Sequence, residues 1–186
     1  MNTEPVRTRL PVVAGLSVLG LVMIAFGALA VPPAQARTDP ALIDYAGFVD
    51  LSRDVAAYRE TRLIDLATFN AMKDDPDTII IDARSARNYA LGHIDGAVNL
   101  NFSDFSAGML SEVIGSKNRR ILIYCNNNFT DNVAPVMLKS APLALNVPTF
   151  INLYGYGYEN IYELSGAYSI SDPAIGWVSR PTYQEN

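Results

Sequence analysis

Cys125 is the only cysteine in a chain of 186 residues, and its setting suits a nucleophile. It closes the β-branched run Arg120-Ile-Leu-Ile-Tyr-Cys125 and is followed by a polar loop, Asn126-Asn-Asn-Phe-Thr-Asp131. A thiol at the carboxyl end of a strand stands where open α/β sheets bind their ligands. Beyond the loop, Val133, Val136, Met137 and Leu138 have helical spacing, which predicts a helix beginning near Asp131 or Asn132 with Pro135 in or just past its first turn. Loop N–H groups and the positive end of such a helix favour thiolate over thiol, so the arrangement predicts a lowered Cys125 pKa. Asn128 suits a left-handed backbone position within that loop. A free cysteine is equally often a small buried hydrophobe, and position alone leaves both readings open.

Other candidate groups are few. His93, the only histidine, invites comparison with a base that activates Cys125. One His and one Cys are too few soft ligands for a metal site, so neither a metal nor another cofactor is expected. Asn126, Asn127 and Asn128 either contact substrate or serve the geometry of the turn. The formal charge of -5 and the lack of a Lys/Arg run exclude nucleic acid as the main partner, since phosphate neutralisation requires a basic face.

The elements that must position these groups read as one α/β domain. Residues 1–36 resemble an export signal: Arg7 and Arg9 precede an uncharged apolar stretch from Leu10, and Ala34-Gln35-Ala36 offers a small-x-small cleavage site. Cleavage after Ala36 predicts a periplasmic or secreted protein. The alternative is an uncleaved membrane anchor, because Leu10 to Val31 is long enough to span a bilayer. Residues 37–60 form a helical extension, with Tyr45, Phe48, Val49, Ser52, Val55 and Ala56 at helical spacing over Asp39 to Arg59. The domain proper is assigned to residues 61–170. It opens with a helix from Asp65 to Lys73 capped by Asp65 and a turn from Asp74 to Thr78. Strands follow at Thr78 to Ala83, Arg120 to Cys125 and Asn160 to Leu164, with room for a helix and a turn between the first two. The aromatics of Phe150 to Tyr158 either wall a pocket or fill the core. Residues 171–186 read as a polar, Pro-containing tail.

With these residues in view, the chain resembles the rhodanese-like domains over about Leu63 to Tyr168. The matching segments, in the family's order, are Ile79-Ile-Ile-Asp-Ala-Arg84, Tyr89-Ala-Leu-Gly-His-Ile-Asp-Gly-Ala97 with Val98-Asn-Leu100 after it, Ile121-Leu-Ile-Tyr-Cys125, and Asn160-Ile-Tyr-Glu-Leu-Ser-Gly166. The resemblance implies a three-layer sandwich, a mostly parallel sheet with helices on both faces. It also implies that Cys125 carries sulfane sulfur as a persulfide and that His93 has a structural role in a turn. Asp82 and Arg84 are expected to form a buried polar pair.

The departures lie in the loop. Where active members commonly place an Arg or Lys and a Gly, this chain has Asn126 and Asn128, while Thr130 keeps the hydroxyl position. Phe129 and Asp131 complete the candidate substrate loop. Losing one charge-assisted contact costs about 1.5–3 kcal/mol, enough to weaken thiosulfate binding ten-fold or more. The related phosphatases need an Arg six residues beyond the cysteine, where this chain has Asp131, so phosphate-ester chemistry is excluded. Three readings follow. One is a sulfurtransferase or persulfide carrier that takes sulfur from a small donor and yields it to a thiol acceptor. Another is an inactive binding module for a protein partner. The third is a thiol redox sensor, which without a second Cys has to resolve with an external thiol.

Overall fold

The computed structural model describes residues 42–179. Helix α1 (Tyr45–Arg59) is capped by the Asp44 carboxylate, which accepts from the Gly47 N–H. Strand β1 (Leu63–Ile64) leads into α2 (Leu66–Lys73), capped by Asp65 as expected. The strand β2 (Thr78–Asp82) follows, then α3 (Ala86–Leu91), β3 (His93–Ile94), β4 (Ala97–Asn99) and α4 (Ala107–Val113). The second half comprises β5 (Arg120–Tyr124), α5 (Asn146–Gly155), β6 (Ile161–Leu164) and β7 (Trp177–Val178).

Five strands pair in parallel in the order β1-β6-β5-β2-β4. Because successive side chains in a strand point to opposite faces, the apolar runs of β2 and β5 serve two cores at once. Ile79, Ile81, Ile121 and Ile123 pack under α1, α4 and α5 with Val55, Leu110 and Phe150. Ile80, Leu122 and Tyr124 face the other way and pack with Phe69 of α2, Phe129 and Ile175. The chain is therefore α/β, a mostly parallel sheet covered by helices on both faces.

Four expectations need correction. The stripe on α1 does not pack along its length: Tyr45 is 82% exposed, and among its predicted positions only Val55 is buried. Packing comes instead from the C-terminal half of the helix, where Tyr58 meets Phe150 and Tyr154 at ring separations of 6.4 and 5.1 Å. The helix expected after Asp131 does not form. Asn132 takes a left-handed φ of 46°, and the segment to Ser140 runs irregularly. A proline disfavours helical geometry in the residue before it, and this outweighs the apolar spacing. Nor is Asn128 left-handed, since it lies in a 3-10 turn, Asn126–Asn128.

Of the expected polar tail, residues 171–179 are described. They fold back onto the domain. Ile175 is fully buried, and β7 pairs antiparallel with β3 through Ile94↔Trp177. The Trp177 ring meets Phe129 edge-on at 5.1 Å. It also explains Gly92, where a Cβ would come within 2.7 Å of the indole. The signal expected at residues 1–36 lies outside the described residues, as does the start of the extension.

The Ile175 contact yields a measurable cost. Ile175→Ala is expected to destabilise the domain by about 2–5 kcal/mol in urea unfolding, because it opens a cavity in a fully buried site. A change within about 0.5 kcal/mol, the range of an ordinary surface substitution, would show that this segment does not belong to the core.

Candidate active site

Cys125 lies one residue beyond β5, in extended backbone, and is 1% exposed. Its surroundings are set by the three asparagines, each in a different way. Asn128 is the hub. Its Oδ1 accepts the Cys125 N–H at 2.9 Å and the Asn146 Nδ2 at 3.1 Å, and its own Nδ2 donates to the carbonyls of Leu164 and Gly166 at 2.7 and 3.2 Å. Asn127 clamps the segment that follows, donating to the Lys139 carbonyl and accepting from the Lys139 N–H. Asn126 is buried with its Oδ1 unpartnered among the described residues, and it lines a separate polar cavity with Ser85, Asn88 and Asn101.

The remaining loop residues are structural in their contacts. Phe129 is fully buried and packs edge-on against Tyr124. Thr130 is exposed and donates its backbone N–H to the Tyr168 carbonyl. Asp131 accepts from the Ser169 hydroxyl and the Ile170 N–H, which fastens the loop to the chain after β6. Neither Thr130 nor Asp131 lines the cavity at Cys125.

That cavity, of about 310 Å³, is walled by Cys125, Asn127, Asn128, Asn146, Glu163 and Arg59, among others. Arg59 comes from the end of α1 and Glu163 from β6. They form a two-point ion pair, Nε to Oε2 at 2.5 Å and Nη2 to Oε1 at 2.7 Å. Asn146 Nδ2 also donates to Glu163 Oε1 at 3.2 Å, so a continuous chain of contacts runs from the Cys125 backbone to Arg59. The loop itself lacks a cation, yet the cavity has one.

Arg59, Asn146 and Glu163 were not among the residues expected at the site. Glu163 carried a readable signal, because a carboxylate inside a buried strand needs a charged or hydrogen-bonding partner.

His93 is occupied elsewhere. Its Nδ1 is 2.9 Å from the Tyr89 carbonyl and its ring stacks on that of Tyr89 at 3.9 Å. Asp82 and Arg84 form a fully buried pair, with Arg84 Nη2 2.5 Å from Asp82 Oδ2. Burial works against the Arg84 charge, but the bond to Asp82 carries its pKa above the ordinary value. The Tyr124 hydroxyl donates to the same carboxylate at 2.6 Å, and burial next to that charge holds the phenol well above its usual range.

The comparisons with known proteins bear on this arrangement. The family model of the rhodanese-like domain matches residues 65–169, more than half of the chain. The chain belongs to the rhodanese-like domain family. Curated relatives include the tRNA uridine(34) hydroxylases of Erwinia tasmaniensis, 27% identical over 116 residues, and Bradyrhizobium diazoefficiens, 28% identical over 123 residues. These alignments cover 61% and 63% of this chain but only 27% and 39% of the relatives, so the chain spans well under half of their length. Among solved structures, similarity extends to the rhodanese-like domain of an Anabaena sp. protein, with a TM-score of 0.41 and 22% identity, covering 57% of this chain and 69% of that one. It extends also to thiosulfate sulfurtransferase from Pseudomonas aeruginosa, with a TM-score of 0.44 and 16% identity, covering 64% and 20% respectively.

Within this rhodanese-like frame, the electrostatics of the thiol differ from expectation. Burial pushes the Cys125 pKa up, and the Glu163 carboxylate adds to the rise. Backbone N–H groups of Asn127, Asn146 and Leu145 act in the opposite sense but do not offset it. The expected lowering is thus corrected. The N–H groups are supplied by the loop and by the start of α5, and they act on a sulfur taken out of water beside a carboxylate.

The pH dependence follows in sign. Alkylation of Cys125 by iodoacetamide should have its midpoint above the ordinary thiol value of about 8.5, because the reactive thiolate forms later. A folded thiol that keeps its proton longer than the unfolded one leaves stability intact below about pH 8.5 and erodes it as pH rises past that value. An alkylation midpoint below about 7.5 would contradict this account of the site.

Proposed function

We propose that this rhodanese-like domain is a sulfurtransferase or persulfide carrier in which Cys125 is the sulfur-accepting nucleophile. The observation that carries the reading is the placement of Cys125 directly after β5, lining a cavity, with the backbone N–H groups of Asn127, Asn146 and Leu145 acting in favour of its charged form. Such donors, fixed before the reaction, stabilise negative charge on a thiolate or persulfide without reorganisation. The Cys125 thiolate attacks the outer sulfur of a donor, the donor's remaining fragment leaves with the electron pair of the broken bond, and an acceptor thiol or cyanide later removes the sulfur. His93 is not assigned as the base, since its ring is engaged with Tyr89.

The burial of Cys125 favours one competing reading, a binding module in which the thiol only fills space. Turnover separates the two. With a polysulfide donor and cyanide acceptor, the protein should form thiocyanate, and Cys125→Ser should abolish it while unfolding at nearly the same urea concentration as the parent. Equal thiocyanate formation by both proteins would remove Cys125 from the reaction.

We also propose that the domain works outside the cytoplasm, on the basis of the apolar stretch after Arg9 and the Ala34-Gln35-Ala36 site. Among the described residues, no helix is long and apolar enough to cross a membrane. N-terminal sequencing of the protein from its native host should begin at Arg37. A membrane-bound product that retains residues 10–31 would support an anchor instead.

A further inference from the structure

Among the described residues lining the Cys125 cavity, Arg59 is the only cation and Glu163 the only carboxylate. The Glu163 side chain is 7% exposed and that of Arg59 33%. Glu163 is thus the buried member of the pair and Arg59 the more accessible one, and both line the cavity. Arg59 uses Nε and Nη2 on Glu163, which leaves its Nη1 without an acceptor among the described residues. Beside the pair, Asn146 is 3% exposed, and its Oδ1 is buried and lacks a protein partner although its Nδ2 bridges Glu163 and Asn128. A buried acceptor left open is costly unless a donor reaches it. The lining of the cavity thus holds a guanidinium next to two kinds of acceptor, a buried amide oxygen without a partner and a carboxylate.

This pattern discriminates between sulfur donors by charge. A dianion such as thiosulfate can approach Arg59 only by also approaching Glu163, and a neutral ion pair does not compensate two negative charges brought out of water. A ligand carrying one negative and one positive group close together meets the wall with complementary charges. We propose that Arg59, Glu163 and Asn146 select as donor the persulfide of a zwitterionic amino-acid thiol, with its carboxylate on Arg59 and its ammonium on Asn146 Oδ1 and Glu163. This rests on the sulfur-transfer reading of Cys125 and names its substrate class.

The step is balanced without an oxidant or reductant. The Cys125 thiolate attacks the outer sulfur of R–S–SH, and the Sγ–S bond forms as the bond between the donor's two sulfurs breaks. The electron pair departs on the inner sulfur as R–S⁻, which takes up a proton from solvent, and the outer sulfur with its hydrogen remains on Cys125.

The test compares initial rates of sulfur gain at Cys125, followed by intact mass, with four donors: cysteine persulfide, thioglycolate persulfide, cysteamine persulfide and thiosulfate. The parent protein should load from cysteine persulfide at least about ten-fold faster than from thioglycolate persulfide or thiosulfate, the discrimination expected of one charge-assisted contact. Glu163→Gln keeps the shape and removes the negative charge, so the two anionic donors should gain about ten-fold. Arg59→Gln should lower loading from cysteine persulfide by a similar factor and bring it level with cysteamine persulfide. Variants that still load but keep the parent's donor order would overturn the inference and leave sulfur transfer standing. If Glu163→Gln does not fold, Arg59→Gln decides alone, since its side chain is one-third exposed, and an unchanged donor order in it is contrary. No loading of the parent from any of the four, with the thiol reduced, would overturn the sulfur-transfer reading itself and the inference with it.

Discussion

A guanidinium with no access to water organises the carboxyl end of the sheet. Arg84 is 0% exposed, and a buried charge persists only when its hydrogen bonds are met by the protein. Its partners come from four parts of the chain. Asp82 at the end of β2 takes Nε and Nη2, the Gly92 carbonyl takes a second bond from Nη2 at 2.6 Å, and the Pro135 carbonyl accepts from Nη1 at 3.3 Å. Tyr124 on β5 shares the Asp82 carboxylate, and the guanidinium lies 5.1 Å from the Trp177 ring. One side chain therefore ties together the central strands, the turn before β3, the irregular segment beyond the cysteine loop and the returning C-terminal strand. Removing one partner of such a pair typically costs about 3–5 kcal/mol, because the other charge is left stranded.

The thiol sits next to this frame and depends on a second, less charged one. Asn128 ties the Cys125 backbone to the end of β6 through Leu164 and Gly166 and to α5 through Asn146. These contacts hold Cys125 at the end of β5 close to the end of β6, where backbone N–H groups of the loop and of the start of α5 favour the charged form of its thiol. The same placement buries it beside Glu163, which Arg59 holds in position from outside the family-matched segment. The balance at the sulfur is a contest between backbone donors that favour negative charge and a carboxylate and burial that oppose it. In this protein the opposing terms prevail at the resting thiol.

Much of the fold was legible because β2 and β5 carry near-continuous apolar runs, the pattern that strands buried on both faces require, and β6 is apolar apart from Glu163. The Asp65 cap and the turn before Thr78 were equally plain, since local hydrogen bonding decides them. The misses have physical causes. Val133, Val136, Met137 and Leu138 carry helical spacing, but the backbone limits of Pro135 and the Lys139 clamp by Asn127 override it. Ile175 and Trp177 were hidden in a segment whose average composition is polar. The position of Cys125 could be read from its strand and the need of Glu163 for a partner from its own, whereas the identity of that partner could not, because Arg59 and Glu163 lie 104 residues apart and only folding brings them together.

The central claim is that Cys125 accepts a sulfur atom, and intact mass with peptide mapping tests it most directly. After exposure to polysulfide and removal of the excess, the protein should gain the mass of one sulfur, confined to the peptide that contains Cys125 and released by a reducing thiol. An unchanged mass, with Cys125 shown by alkylation to be reduced and reachable, would contradict the account.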